Sequence, residues 1–144
     1  MEYRRFKNVI VLKLNRGEEI VSSVKSVCER EKVTLAKISG IGAAQSVKAG
    51  FYDVQTRSYH TKEYRGNLEI LSLDGNVTQK DGVYLHLHIS FAAEDGTAYG
   101  GHLNEAVIGG AGEIFLTVIN GKVFREIDDE TGLNVFLFPQ NGIF

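Results

Sequence analysis

Three of the four histidines in this chain lie close together in the sequence, where their imidazoles could bind a metal ion. His86 and His88 stand in the run 83–91, in which apolar residues strictly alternate with Tyr, His or Ser. This period of two predicts a half-buried β-strand with both histidines on one face. Their side chains would leave the backbone about 6.6 Å apart. Two imidazoles at that separation can converge on one ion with bonds of about 2.0–2.1 Å.

The face on which His102 lies depends on the length of the turn that follows this strand. The segment 94–96, Glu-Asp-Gly, is typical of a three-residue hairpin loop with glycine in the left-handed position. With that loop, His88 lies opposite His102 and His86 lies opposite Asn104, and opposed residues share a face. A two-residue Asp-Gly turn would instead move His102 to the other face. The longer loop therefore predicts a three-histidine cluster, with Asn104 beside it as a hydrogen-bonding neighbour or an interface residue.

The histidine cluster has two interpretations. Histidines often occupy the solvated face of a sheet without a ligand, whereas a third histidine across the strands favours a metal site. Imidazole-rich sites suit zinc, and copper, nickel and iron remain open. The sequence therefore predicts a divalent metal, zinc as the first choice, on His86, His88 and His102. Three protein ligands would leave a fourth position open, as catalytic zinc sites do.

Glu69 is a second candidate for chemistry. In the predicted strand 67–74 it shares its face with Leu71 and Leu73, and a carboxylate on an apolar face needs a partner. One hypothesis makes Glu69 a structural hydrogen-bond acceptor or an interface residue in an oligomer. The alternative makes it a general base near the histidines.

Several segments of the chain resemble one family. The resemblance is to bacterial and archaeal proteins of the plant and prokaryote conserved (PPC) domain, and it covers nearly the whole chain. The segment 66–76 is similar to the G-R-F-E-I-L-S-L-x-G segment of that domain. The other matching segments are 16–19 (Arg-Gly-Glu-Glu), 39–43 (Ser-Gly-Ile-Gly-Ala), 85–88 (Leu-His-Leu-His), 95–96 (Asp-Gly) and 100–103 (Gly-Gly-His-Leu).

The resemblance implies a homotrimer and a regulatory or DNA-associated role for an oligomeric binding module. Apolar residues on both faces of the predicted strand 3–14 need covering, so the sequence allows such an oligomer. The alternative function is a metal-dependent enzyme that acts on a small molecule. No substrate pocket is evident from the sequence, and a fold resemblance does not establish chemistry.

The charge balance argues against strong nucleic-acid binding. The chain has 16 basic and 18 acidic residues, a formal net charge of −2. Affinity for DNA depends mainly on neutralising phosphates, and the densest basic cluster here is only Arg4, Arg5 and Lys7. The Gly-Arg-Pro core of an AT-hook, which plant relatives carry outside the PPC domain, is absent. Any DNA binding by these three residues is therefore predicted to be weak and non-specific.

Composition predicts one domain, 1–144, without a membrane span. Apolar residues make up 43% of the 144, and no run reaches the 18 or more that would span a bilayer. The first residues lack the apolar run of a secretory signal, and Cys28 is the one cysteine, so no internal disulfide can form. These features favour the cytoplasm. Cys28 is expected on the buried side of a helix.

The predicted fold is α/β (α+β), a mostly antiparallel sheet with one main helix and one or two short helices. The main helix is expected from a cap at Asn15 to about Lys32, and a short one at 104–109. Turns are expected at 75–76 and 81–82, and tight glycine turns at 40–42 and 109–112. The predicted strands are 3–14, 35–40, 45–52, 58–64, 67–74, 83–92, 98–103, 113–119 and 135–139.

Overall fold

The structure, a computed structural model, describes residues 1–138 of the chain. This part contains eight strands and one helix, which confirms the predicted class of a mostly antiparallel sheet with one main helix. In chain order the elements are β1 (Glu2–Phe6), β2 (Val9–Asn15), α1 (Ile20–Arg30), β3 (Ala36–Asp53), β4 (Ser58–Gln79), β5 (Val83–Ala92), β6 (Ala98–Val118), β7 (Phe124–Ile127) and β8 (Asn134–Leu137).

The long central strands close on one another. Along the sheet the order is β1-β2-β6-β3-β4-β7-β8, and β5 pairs with both β4 and β6. Because β3 also pairs with both β4 and β6, these four strands form a ring that leaves none of the four as a free edge. All pairings are antiparallel except a single parallel pair between Gln79 and Phe124.

The first predicted strand, 3–14, is wrong as a single element. It is a hairpin of β1 and β2, with Arg5 opposite Ile10 and Phe6 opposite Val9. Lys7 turns the chain with a φ of 55°, although the turn contains neither glycine nor proline. Glycine and proline are the strongest turn signals in a sequence, so a turn without either was not predicted.

The helix begins later than predicted. Asn15 belongs to β2, and α1 starts after Glu19, whose carboxylate accepts hydrogen bonds from Val21 N at 2.8 Å and Ser22 N at 2.6 Å. These bonds satisfy two of the free amides in the first helical turn. The helix ends at Arg30 rather than Lys32, which has a φ of 53°. The predicted apolar face is confirmed, with Ile20, Val24, Val27 and Cys28 buried.

Glycine-containing segments that predicted tight turns lie inside long strands. Gly42 in β3 pairs with Gly112 in β6 beside register shifts of both neighbouring ladders. A Cβ at Gly42 would overlap the carbonyl oxygen of Ala111, so glycine permits the close approach of the two backbones. The predicted turns at 40–42 and 109–112 are therefore wrong.

Other predicted interruptions of the strands are also wrong. The turn expected at 75–76 is part of β4, which joins the predicted strands 58–64 and 67–74. The short helix expected at 104–109 is part of β6. The turn at Asp81-Gly82 is confirmed, with φ values of 52° and 124°. Most of the strand predicted at 135–139 is β8, and Pro139 lies outside the described residues.

The core lies between the helix and the inner face of the strands. α1 packs against β5 and β6. Within residues 1–138, no helix is long and apolar enough to cross a bilayer. The largest buried side chains are Phe91, Ile10, Leu12, Leu14, Ile20, Ile38, Leu73, Leu87, Ile108, Ile114, Leu116 and Val24.

Candidate metal centre

The hairpin of β5 and β6 sets the positions of the histidines. Ala92 pairs with Ala98, and the register places His88 opposite His102, as the three-residue loop predicts. Gly96 donates its N–H to the Ala93 carbonyl at 2.9 Å and has a φ of 78°. Both features belong to a hairpin loop that ends in a left-handed glycine. The predicted strand 83–92 and its turn are thus confirmed.

The three histidines converge on one point. Each can offer a ring nitrogen, and these nitrogens all lie within 4.8 Å of one another. The ring centroid of His86 lies 5.1 Å from that of His88 and 5.2 Å from that of His102. The centroids of His88 and His102 are 5.6 Å apart. Around a tetrahedral ion with bonds of about 2.0–2.1 Å, ligand nitrogens stand about 3.3 Å apart. Small side-chain rotations would reach that spacing, so the cluster fits one metal ion.

Burial keeps two of these imidazoles neutral. It lowers the pKa of His86 to about 4, with further lowering by the charges of His102, Arg125 and His88. Burial also lowers the pKa of His102, with a smaller effect from His88. The neutral imidazole is the form that binds a metal ion. Both side chains therefore have a free lone pair at neutral pH.

A close approach of strands brings His102 into the cluster. Gly101 precedes it in β6, and His102 pairs with Gly50 of β3 on its other side. A Cβ at Gly101 would overlap the carbonyl oxygen of Gly50, so the strands can meet here only without that side chain. Beyond this point β6 no longer pairs with β5, and Asn104 is exposed. The predicted pairing of His86 with Asn104 is therefore wrong.

Two residues of β4 flank the histidines instead, and the sequence pattern did not identify them. Asn76 is opposite His86, and Asp74 is opposite His88. Asp74 accepts a hydrogen bond from Lys37 Nζ at 2.7 Å and another from the Ser72 hydroxyl. Lys37 and then Ser72 lower the pKa of Asp74, which is therefore an anion beside the most exposed histidine.

Glu69 is exposed, and the burial predicted for it is wrong. Leu71 shares this outward face and is 53% exposed, whereas Leu73, which follows the register shift between Ile70 and Ser72, is buried. Glu69 pairs with Ala92, four residues or about 13 Å along β5 from the histidine pair. That distance does not support a general base at the cluster. An outward position leaves the interface hypothesis open.

A cavity of about 280 Å³ opens beside His86 and His102. The ring of Tyr59 lies 5.3 Å from that of His102. Arg125, which no sequence pattern identified, also lines this cavity. The remaining lining residues are Tyr84, Leu133, Asn134, Val135 and Phe136. Most of the wall is therefore aromatic or aliphatic, with the polar groups at the histidine side and at Arg125.

The predicted basic cluster lies on the hairpin of β1 and β2, away from any histidine in sequence. Arg5 is partly neutralised, because its Nη1 donates to Glu31 Oε2 at 2.9 Å. Arg4 donates to the carbonyl of Tyr3 at 3.0 Å, and Lys7 is exposed at the turn. Arg5 and Lys7 line one surface depression together with Glu31, and Arg4 lines another on the same hairpin with Glu2.

The chain is thus a small β-rich domain with a candidate metal site. It consists of a ring of long antiparallel strands and one helix, and the histidine cluster lies on a hairpin of that ring. The sequence matches the family described as the Plants and Prokaryotes Conserved (PCC) domain over residues 1–120. The chain belongs to this family, the one abbreviated PPC above. A comparison with curated proteins found no match.

Solved structures of similar proteins cover almost the full chain. A protein of Archaeoglobus fulgidus described as metal-containing is 37% identical, covering 95% of this chain and 97% of its own, with a TM-score of 0.86. A "putative DNA binding protein" of Bacteroides thetaiotaomicron is 32% identical, covering 95% and 96%, with a TM-score of 0.92. A PPC protein of Pyrococcus horikoshii is 28% identical, covering 97% and 96%, with a TM-score of 0.83.

Proposed function

We propose that this protein is an oligomeric PPC-domain module that binds one divalent ion, zinc, through His86, His88 and His102. The observation that carries the proposal is the convergence of three ring nitrogens within 4.8 Å of one another. The similar protein of Archaeoglobus fulgidus, described as metal-containing, supports it. Zinc is the choice among divalent ions because three imidazoles and an open position form a common zinc ligand set.

The side chains around the ion would control what reaches it. His86 and His102 are half-buried while His88 is exposed, so the open position lies between solvent and the cavity. A bound zinc ion would polarise an oxygen atom that reached this position. Asp74, opposite His88, forms an ion pair with Lys37, so it places a hydrogen-bond acceptor rather than a net charge beside the site. Such a site can bind a small molecule as a regulatory signal.

An enzyme that acts on a small molecule is the second candidate function. The observation that favours it is the cavity, which borders the histidines and is large enough for a small organic ligand. Within residues 1–138, no carboxylate lines this cavity as a general base. A binding role therefore remains first.

The proposed oligomer is a homotrimer. Large apolar side chains stand on the outward face of three adjacent strands: Ile41 of β3 is 56% exposed, Leu71 of β4 53% and Phe115 of β6 44%. Covering this face with the same face of other subunits would remove the apolar groups from water. Glu69, next to Leu71, would then lie at the interface.

The proposed DNA association is weak and non-specific. Its support is the similar protein of Bacteroides thetaiotaomicron described as a "putative DNA binding protein". Arg4, Arg5 and Lys7 would supply the phosphate contacts, and Glu31 partly neutralises Arg5. Three copies in a trimer would add their contacts by avidity. The lone, buried Cys28 suits a reducing compartment, so we keep the cytoplasm as the proposed location.

Elemental analysis of protein purified without an affinity tag tests the metal site. We expect about one zinc per chain in the wild type, as one three-histidine site requires. His88→Ala should lose it, because two imidazoles hold zinc far more weakly. His60→Ala is the matched control, since His60 is exposed and stacks on Phe51 at 5.2 Å outside the cluster. Equal and near-zero metal in the wild type and His88→Ala would refute the proposal.

A further inference from the structure

Arg125 is a buried cation that has no acidic partner among residues 1–138. Arg125 is only 8% exposed, and it takes part in none of the ion pairs found among these residues. The guanidinium donates to three neutral acceptors: Thr78 Oγ1 at 2.8 Å, the Asn134 carbonyl at 2.6 Å and Asn76 Oδ1 at 2.9 Å. Buried charges are normally paired, because moving an ion out of water is energetically costly.

The remaining donors of Arg125 are fixed in direction. Its guanidinium carbon lies 4.7 Å from the ring centroids of both Tyr84 and Phe136, so aromatic rings cover it. A guanidinium carries five N–H groups. Three of them make the hydrogen bonds described above, which leaves two, one on each terminal nitrogen. Donors on both terminal nitrogens can bind a carboxylate through one of its oxygens or through both.

The other residues that line the cavity indicate which chemical groups a ligand would carry besides a carboxylate. Arg125, His86 and His102 line the same space of about 280 Å³. Leu133, Val135 and Phe136 give it an apolar wall. A phosphate would ordinarily need several cations or a cradle of backbone amides. One guanidinium with apolar walls suits a carboxylate that carries a hydrocarbon group.

We propose that this cavity binds a small organic carboxylate, with its carboxylate on Arg125 and a neighbouring oxygen directed at the ion on the histidines. The inference rests on the proposed metal site for the second contact only. The contact with Arg125 uses residues of β4, β7 and β8 and does not need the metal. A 2-hydroxy acid with an apolar substituent has both oxygen donors at adjacent carbons.

Calorimetry with zinc-loaded protein tests the ligand class. The probes are mandelate, its neutral amide mandelamide, and inorganic phosphate. We expect mandelate to bind at least about tenfold more tightly than mandelamide, since the amide loses the charge-assisted hydrogen bonds to Arg125. Phosphate should bind more weakly than mandelate. Equal affinities for mandelate and mandelamide, no binding of mandelate, or tighter binding of phosphate would each overturn the inference.

Variants test whether Arg125 binds the ligand or only supports the fold. Arg125→Gln should weaken mandelate at least about tenfold and leave mandelamide unchanged. Arg125→Lys keeps the charge but loses the planar guanidinium, so its affinity for mandelate should lie between those of the wild type and Arg125→Gln. The matched control is Arg57→Gln: exposed Arg57 also holds the C-terminal segment, through the carbonyls of Asp129 at 2.7 Å and Glu130 at 3.1 Å, but lies outside the cavity. Equal loss in Arg57→Gln and Arg125→Gln would show a structural role and overturn the inference.

The metal content of each sample separates this inference from the proposed function. If the protein takes up no zinc but binds mandelate in a way that depends on Arg125, the metal site is refuted and the carboxylate site is retained. Zinc bound at the histidines with no difference between mandelate and mandelamide would refute the carboxylate site alone. If Arg125→Gln does not fold, as judged by its thermal unfolding, the comparison of the three probes on wild-type protein still decides.

Discussion

The three histidines lie on one face of their hairpin but differ in exposure. His88 is exposed, and His86 and His102 are half-buried against the cavity that Arg125 and Tyr59 also line. Because of this gradient, an ion would meet His88 first and would then be held by two imidazoles that burial keeps neutral. The histidines themselves are close in the sequence, whereas the cavity beside them depends on Arg125 and Tyr59, which are distant from them in the sequence.

Cys28 gives a prediction at the same scale. It is buried in the face of α1 that packs on the sheet, and burial raises the pKa of its thiol to about 12. Since the thiolate is the reactive form, native protein should not react with a disulfide reagent at pH 8. The same protein unfolded in guanidinium should react with one thiol per chain. Absorbance of the released thiolate measures both, and equal rates in the two states would contradict the burial.

At the scale of elements, close contacts between backbones shape the long strands. β3, β4 and β6 each continue through segments that the sequence predicted as turns. Register shifts in their ladders bend them, so that β3 and β6 can pair while β5 closes the ring. The ring in turn brings His86 and His102 together with Asn76.

Gly42→Ala tests this close approach. The added Cβ would overlap the Ala111 carbonyl oxygen, and the backbone would have to shift. We expect the free energy of unfolding in urea to fall by about 1–3 kcal/mol. The control is Gly121→Ala, where the nearest atom to the new Cβ would be Leu35 Cδ2 at 3.7 Å, an ordinary contact. Equal stabilities of the two variants would show that the approach at Gly42 does not constrain the strand.

At the scale of the molecule, the outward apolar face and the basic residues of the β1–β2 hairpin are the features through which the protein is proposed to bind other molecules. The outward face of Ile41, Leu71 and Phe115 would be covered in a trimer of identical chains. The basic residues Arg4, Arg5 and Lys7 of each subunit would then be present three times. Partner binding is therefore expected to depend on assembly.

The proposed trimer predicts a mass that light scattering can measure. Wild-type protein at micromolar concentration should give three times the chain mass of 15.9 kDa. Leu71→Glu should give monomers, because it places a charge in the proposed interface. Ile127→Glu should remain a trimer: Ile127 is 60% exposed but belongs to β7, outside that face. A wild-type mass near 15.9 kDa would exclude the trimer.

The basic residues of the β1–β2 hairpin predict DNA binding that salt abolishes. Fluorescence anisotropy should give similar affinities for two unrelated duplexes, and binding should be lost between about 50 and 200 mM salt. Arg4→Ala with Lys7→Ala should weaken binding to both duplexes. The control, Lys25→Ala with Lys122→Ala, removes the same charge from exposed positions elsewhere and should have a smaller effect. Tight, sequence-selective binding at the higher salt would contradict this prediction.

The sequence by itself determined the local parts of this protein. The alternation in 83–91 and the loop at 94–96 predicted β5, its register and the shared face of His86, His88 and His102, because strand period and turn chemistry act over few residues. Helical spacing likewise predicted the buried face of α1.

Only the tertiary structure decided what surrounds the histidines. Arg125 comes from β7, which pairs with β4 over a long sequence separation, and Asp74 and Asn76 come from the part of β4 that the sequence had predicted to end in a turn at 75–76. A register shift between Ile70 and Ser72 also put the buried Leu73 on the opposite face from the exposed Glu69 and Leu71. One displaced residue moves every later side chain of a strand to the opposite face, and nothing in the local pattern marks where that displacement occurs.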